Sequence, residues 1–443
     1  AGTISSTAAN VDVINVGGSS TVTLRNVGTI TSGADLTGNA VIDVGAGSTL
    51  NLINTGTISN TVGATDVVVD ASTSGAIIGT FTNSGAITAT SNTAAAIDVS
   101  GDTAATLLNF TGGSVTGTTT LGGTAADTIR IGGTVDMDGD ITGDSTVGGN
   151  LDINADFDLT GNSTAITDIS SIDVASGKTF TLGDNGISSS GTANITFSGG
   201  GAVDISASTS QDAIIGGGAN VVFDNVALTT AAAAEIGSTS GEVQIDTADV
   251  TITGEFHLDD DAASTLVLNG TGGSAYTNAF TGGSTGTDVF ELDLTNATDA
   301  VELDGTVSEF ETYTLTKGKM NVDADIADAT TVGVGANATL DLSDASFTAS
   351  GAATVNGAAT IGSAEALTAA SGTVDGTVTI GVGAVDGTTS GVITGAGAFD
   401  MSNSTIKFVA DSTVGALDNG AVVTFVDGGA GATTTGMTLQ DTI

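Results

Sequence analysis

Asn26-Val27-Gly28-Thr29-Ile30 decides the fold, because the chain repeats it as Asn54-Thr55-Gly56-Thr57-Ile58 and again as Asn83-Ser84-Gly85-Ala86-Ile87. Gly2-Thr3-Ile4 is the same phrase cut short, and Gly112-Gly113-Ser114-Val115 is a looser copy. The glycines Gly2, Gly28, Gly56, Gly85 and Gly113 stand 26, 28, 29 and 28 residues apart in turn. A self-similar period in this range marks a solenoid, in which one coil buries its apolar face only against its neighbours.

The residue types select the kind of solenoid. Between glycines lie short β-branched runs such as Thr21-Val22-Thr23-Leu24 and Ser48-Thr49-Leu50-Asn51-Leu52, each alternating apolar with polar. Alternation of period two gives a strand one buried and one wet face. Turn-formers such as Gly45-Ala46-Gly47 and Gly17-Gly18-Ser19 separate the runs. The expected fold is therefore all-β, a β-helix (β-solenoid) with about three short strands per coil. Asn before each corner glycine suits this fold in two ways. Both residues tolerate left-handed backbone, and Asn side chains stacked on successive coils can form an amide ladder.

Composition agrees and limits function. The 443 residues include 66 glycines and no proline, and stacked central strands need every amide hydrogen. Mean hydropathy of +0.31 and 40% hydrophobic residues separate the chain from disordered low-complexity sequence. Six Lys plus Arg against 50 Asp plus Glu give a net charge of −44, which excludes nucleic acid as a partner and disfavours anionic membranes and polysaccharides unless cations bridge them. Zero cysteine rules out disulfides and thiolate chemistry. No apolar run is long enough to be a transmembrane helix.

Three segments are expected along the chain. Residues 1–255 form a regular β-solenoid, whose later part places phenylalanine at strand centres in a wider core. Residues 256–304 are an irregular insertion or junction holding the sole His257, the run Asp259-Asp260-Asp261 and Tyr276. Residues 305–443 form a second β-solenoid segment, with coils such as Thr330-Thr331-Val332-Gly333-Val334-Gly335-Ala336-Asn337-Ala338-Thr339-Leu340-Asp341-Leu342 and Gly372-Thr373-Val374-Asp375-Gly376-Thr377-Val378-Thr379-Ile380.

With the Asn-x-Gly-Thr-Ile coils, this later repeat style resembles the β-helical passenger domains of Gram-negative autotransporters and similar large secreted surface adhesins. The resemblance implies an extracellular, cell-surface address. It also implies a C-terminal membrane barrel, and none lies in these residues, so the barrel is cleaved away or export takes another route.

Catalysis finds little support. One histidine and no cysteine leave no imidazole metal site and no thiol nucleophile, and two arginines with evenly spread acids single out no carboxylate pair. The expectation is a protein that is not an enzyme and requires no cofactor. Calcium is the candidate ligand: Asp136, Asp138 and Asp140 alternate and Asp144 follows, like the first half of an oxygen-ligand loop. Ile141 stands where such a loop needs glycine, and Val147 where it needs a bidentate acid. Gly122-Gly123-Thr124-Ala125-Ala126-Asp127-Thr128-Ile129 is a degraded calcium nonapeptide. The competing reading makes the alternate aspartates the solvated face of a strand.

A solenoid exposes unpaired backbone at its first and last coils, and Ala1-Gly2-Thr3-Ile4 enters directly on the repeat. The functional expectation is a subunit of a cell-surface fibre that self-associates end to end into a homopolymer. Gly2, Thr3, Ile4, Thr424, Phe425 and Val426 of the terminal coils would form the joint. About sixteen coils at an interstrand spacing of ~4.8 Å give a rod on the order of 75 Å per subunit. Two readings stay beside this one: a monomeric adhesin passenger binding a receptor or surface glycan, and a polysaccharide-active enzyme.

Overall fold

The computed structural model describes residues 2–382 apart from residues 64, 209–211, 232, 262 and 363–364. Beyond these it describes the backbone of Val392–Thr394, Phe399–Asp400, Thr405–Ala410 and Thr438–Asp441. The chain is an all-β parallel β-solenoid of about 16 turns, with three strands per coil. Its contacts divide it into two compact units, residues 1–241 and 242–443.

In the first unit each coil lays one strand on each of three parallel sheets. The first sheet runs Thr3–Ser6, Thr29–Ser32, Thr57–Asn60, Ala86–Thr88, Gly113–Thr116 and Val135–Asp138. In later coils another sheet, starting at Phe157–Asp158 and Thr179–Thr181, takes that place in the chain order. The second sheet begins with Ile14–Val16, Ala40–Val44, Val67–Asp70 and Ala95–Asp98. The third begins with Thr21–Asn26, Thr49–Asn54, Ile77–Asn83 and Leu107–Phe110. The buried faces are those the alternation marks: Ile30, Ile58 and Ile87 on the first sheet and Leu50 and Leu52 on the third are all inaccessible to solvent or nearly so.

The repeated Asn-x-Gly is explained by contacts between coils. Asn26 Nδ2 donates to Asn54 Oδ1 at 2.8 Å, and Asn54 Nδ2 donates to Asn83 Oδ1 at 2.7 Å. The expected amide ladder is therefore present and buried, and it ends where Phe110 lies opposite Asn83 in the register. Left-handed backbone, however, is not what these positions require. Asn26, Asn54 and Asn83 all have negative φ, as do Gly28, Gly56 and Gly85. What requires glycine is close stacking. A Cβ on Gly28 would lie 2.0 Å from the Gly2 carbonyl oxygen, one on Gly56 2.0 Å from that of Gly28, and one on Gly85 2.0 Å from that of Gly56. Those same carbonyls accept the N–H groups of Thr29, Thr57 and Ala86 at 2.8–3.0 Å, so the approach is set by the ladder itself.

The period persists where the sequence obscures it, but the coils shorten. Partners on neighbouring coils are 28 residues apart at Asn26 and Asn54, 22 apart at Arg130 and Asp152, and 19 apart at Thr312 and Thr331. Phenylalanine fills the core in stacked pairs, Phe157 on Phe180 at 5.8 Å and Phe197 on Phe223 at 5.1 Å between ring centroids. All four are fully buried.

In the second unit, residues 256–304 carry strands in regular register: Phe256 pairs with Phe280 and Phe280 with Val307. Further on, strands that are separate in earlier coils run together. The 11-residue strand Thr312–Val322 pairs through its first half with Val289–Leu294 and through its second with Ala300–Leu303, turning at Gly318 with φ of +101°. A Cβ on Gly376 would lie 1.8 Å from the Gly357 carbonyl oxygen, so this unit uses the same glycine stacking. Tyr313 packs its fully buried ring between Phe290 at 5.7 Å and Phe347 at 5.0 Å.

Candidate functional site

Among the deeply buried polar groups are aspartates that hold coil to coil. Asp127 accepts the N–H of Gly122 in its own corner at 3.2 Å and that of Thr106 on the preceding coil at 2.8 Å. Asp288 in the second unit does the same with Gly283 at 2.6 Å and Ser264 at 2.7 Å. Both stand just before a strand, five residues after the glycine, and neither is more than 1% exposed. Asp102 accepts from the Ile78 and Ala104 N–H groups, and Asp66 from the Leu36 N–H and Asn60 Nδ2. Burial pushes the Asp127 carboxyl up to about 6, against the opposing pull of its two N–H donors and with a further push from Asp102. Burial likewise takes Asp288 to about 6, its donors opposing and Glu311 and Asp259 adding to the rise. These aspartates supply the brace that a coil corner needs for its strand-starting amides. The degraded nonapeptide Gly122–Ile129 forms such a corner, in which each Asp127 oxygen accepts one N–H group of the protein. Its sequence signal, a glycine five residues before an aspartate that opens a strand, occurs in both units.

The calcium candidates lie together in sequence and apart in bonding. Asp136 and Asp138 sit on the outward side of Val135–Asp138. Asp136 Oδ1 accepts from Asn162 Nδ2 at 3.1 Å, Asp138 Oδ1 from the Ser163 N–H at 3.2 Å, and Asp140 Oδ1 from the Ala165 N–H at 3.0 Å. Together the three carboxylates seat the 162–165 segment of the next coil. Asp144 caps its own turn, accepting the Thr146 and Val147 N–H groups at 2.8 and 2.9 Å, and these bonds hold its carboxyl below the usual value. Among the described residues, no group of three converging ligand atoms includes any of these four. Within the second unit Glu302, Asp304 and Asp323 do converge to within 4.8 Å of one another, all exposed. The Asp323 carboxyl is raised by partial desolvation and then by repulsion from Asp304, Asp344 and Asp341.

Of the proposed joint residues, Thr3 and Ile4 pair with Thr29 and Ile30 on the first sheet, and Ile4 is 51% exposed. Gly2 accepts the Thr29 N–H at 3.0 Å. Thr424, Phe425 and Val426 lie outside the described residues. His257 is the middle residue of Phe256–Leu258 and faces Thr281 in the register. A shallow open dimple lined by Asp144, Gly148, Asp168, Ile169, Ser170 and Ser189 has no interior room for a water molecule. No helix among the described residues is long and apolar enough to cross a membrane.

Charge is segregated in the first five coils. Every acid before Asp136 lies on the second sheet or in the corners that flank it. Asp43, Asp70 and Asp98 stack in register there, headed by Asn15, whose Nδ2 donates to Asp12 at 2.8 Å and to Asp43 at 2.7 Å. Partial burial and then the repulsion of Asp12 and Asp70 raise the Asp43 carboxyl. The outward face of the third sheet carries the column Arg25, Ile53, Thr82, Asn109 and Arg130, which contains both arginines of the chain.

These features define a β-solenoid repeat protein. No family model matches the chain, and neither a curated protein nor a solved structure is similar enough to it to count as a match.

Proposed function

We propose that the chain is a structural component of an extracellular surface, a subunit whose copies associate into a fibre, and that it performs no catalysis. The observation that carries this reading is where the polar groups go. Buried asparagines and aspartates such as Asn54 and Asp127 are committed to N–H groups and amides of neighbouring coils, which makes for mechanical continuity along the chain. A catalytic site would instead bring titratable groups together in a cleft. The surface address rests on the resemblance of the repeat style to autotransporter passengers and on the acidic composition.

Electron microscopy of the purified protein, with sedimentation across a range of concentration, tests the reading. Uniform filaments are expected. Isolated particles that stay monomeric at every concentration would leave the rival, a monomeric adhesin passenger that binds a receptor or glycan through its face.

A further inference from the structure

We infer that the outward face of the first sheet, over the first five coils, binds a crystal face of ice. The inference goes beyond the fibre reading and stands whether or not copies of the chain associate.

The outward positions of this sheet form two columns in register. One runs Thr3, Thr29, Thr57, Ala86 and Ser114, the other Ser5, Thr31, Ser59, Thr88 and Thr116. All of these residues except Ala86 carry a hydroxyl group, and none of them is buried. Successive members of a column stand one strand spacing apart, ~4.8 Å, and the two columns lie two residues apart along the strand, about 6.6 Å. Oxygens in the prism face of ice repeat at close to both spacings. Neither of the other sheets repeats in this way over the same coils. The second presents Asp43, Asp70 and Asp98, and the third the mixed column Arg25, Ile53, Thr82, Asn109 and Arg130. In a chain of net charge −44, neither first-sheet column holds a charged residue until Asp136 and Asp138, the next partners of Ser114 and Thr116.

Hydrogen-bond chemistry selects frozen water as the occupant. Each oxygen in ice both donates and accepts, and a hydroxyl does the same, whereas a carboxylate only accepts and an ammonium or guanidinium only donates. A lattice of hydroxyls therefore continues the ice network across the contact, and a charge interrupts it. Ser59 Oγ donates to Thr31 Oγ1 at 3.0 Å, and Thr31 Oγ1 to the Ser32 carbonyl at 3.4 Å. The hydroxyls of Thr3, Ser5, Thr29, Thr57, Thr88, Ser114 and Thr116 have no protein partner among the described residues and are free for an external one. Threonine, β-branched and stiff at χ1, holds its hydroxyl and methyl groups in place, so little order remains to be imposed on binding. A protein partner would call for aromatic or large apolar anchors at the centre of the contact, and the two columns supply none.

Ice-affinity partitioning of the full chain tests this. A dilute solution is frozen slowly onto a cold probe, and the protein in the ice fraction is measured against an inert globular reference in the same solution. Thr29→Tyr and Thr57→Tyr each place a ring on the hydroxyl lattice, and Thr23→Tyr places one on the exposed face of the third sheet. Tyrosine suits a strand, and circular dichroism checks that each variant is folded. The wild type and Thr23→Tyr are expected to enter the ice, and Thr29→Tyr and Thr57→Tyr to be depleted from it about tenfold relative to them. Exclusion of the wild type along with the reference would overturn the inference, and so would three variants that partition alike. An excluded wild type that pellets with crystalline cellulose, and no longer does so as Thr57→Tyr, would overturn it in favour of a neutral polysaccharide on the same face.

Discussion

Asn54→Ala tests the ladder that sets the coil register. In the wild type the Asn54 carboxamide accepts from Asn26 Nδ2 and from the Gly56 N–H at 3.2 Å, and donates to Asn83 Oδ1 and the Ala86 carbonyl. Alanine removes all four bonds at a site with no solvent access. The Gly56 N–H and the Asn83 Oδ1 lose their partners, and Asn26 Nδ2 keeps only the Thr57 carbonyl at 3.0 Å. Each buried polar group left unpaired costs about 1–3 kcal/mol, and neighbouring groups do not add fully, so the expected loss is about 3–5 kcal/mol. Because a solenoid's coils couple only to their neighbours, the loss should fall on residues 2–54, which would open before the rest. The assay is urea unfolding followed by circular dichroism, with hydrogen exchange reporting the Gly56 and Thr57 amides. Thr31→Ala, at an outward hydroxyl that accepts from Ser59 at 3.0 Å, is the control, expected within about 0.5 kcal/mol of wild type. An Asn54→Ala loss below about 1 kcal/mol, or one no larger than the control's, would refute the claim that the ladder fixes the register.

Three further outcomes follow from the same geometry. Gly56→Ala places a methyl group on the Gly28 carbonyl, and a backbone shift to relieve it breaks the Thr57 bond; a loss of about 2–4 kcal/mol in urea unfolding is expected, against a negligible change for Gly18→Asn, where a left-handed backbone faces open space. The folded pKa values of Asp127 and Asp288, about 6, lie above the unfolded value, so the folded chain holds protons that the unfolded chain releases between about pH 4 and 6. Their contribution is complete below pH 4 and lost as pH rises through 6, and the double variant Asp127→Asn with Asp288→Asn should show a flatter stability profile between pH 4.5 and 7.5. Finally, since backbone and amide donors of the protein occupy one oxygen each of Asp136, Asp138, Asp140 and Asp144, a chelator should leave the melting transition unchanged; a fall of several degrees would establish a calcium requirement.

What could be read from the residues depended on repetition. Asn26, Asn54 and Asn83 recur with their glycines, so three copies in register announced both the solenoid and the amide ladder. Their backbone dihedrals were not visible in the same way, because glycine answers two demands, a left-handed turn and a close approach, and residue identity alone does not distinguish them. The bracing aspartates were harder still. Asp102 looks like any other of the 50 acids and Asp127 stands out only as part of a degraded calcium nonapeptide, and it is the pairing of coils that shows their oxygens pointing inward to amides. The merging of strands was not legible either: Gly318 has a left-handed backbone, yet the hydrogen bonding runs through it and makes Thr312–Val322 a single strand bent at a corner.

The shortening of the coils has a consequence for design. A rung can lose nine residues, from a 28-residue step to a 19-residue step, and still dock on its predecessor in parallel register. Length is therefore absorbed at the corners, where added residues leave the inward and outward alternation of the flanking strands undisturbed. Foreign peptides spliced into successive corners would emerge as a row of evenly spaced epitopes, each held one strand spacing from the next by a backbone indifferent to what it carries.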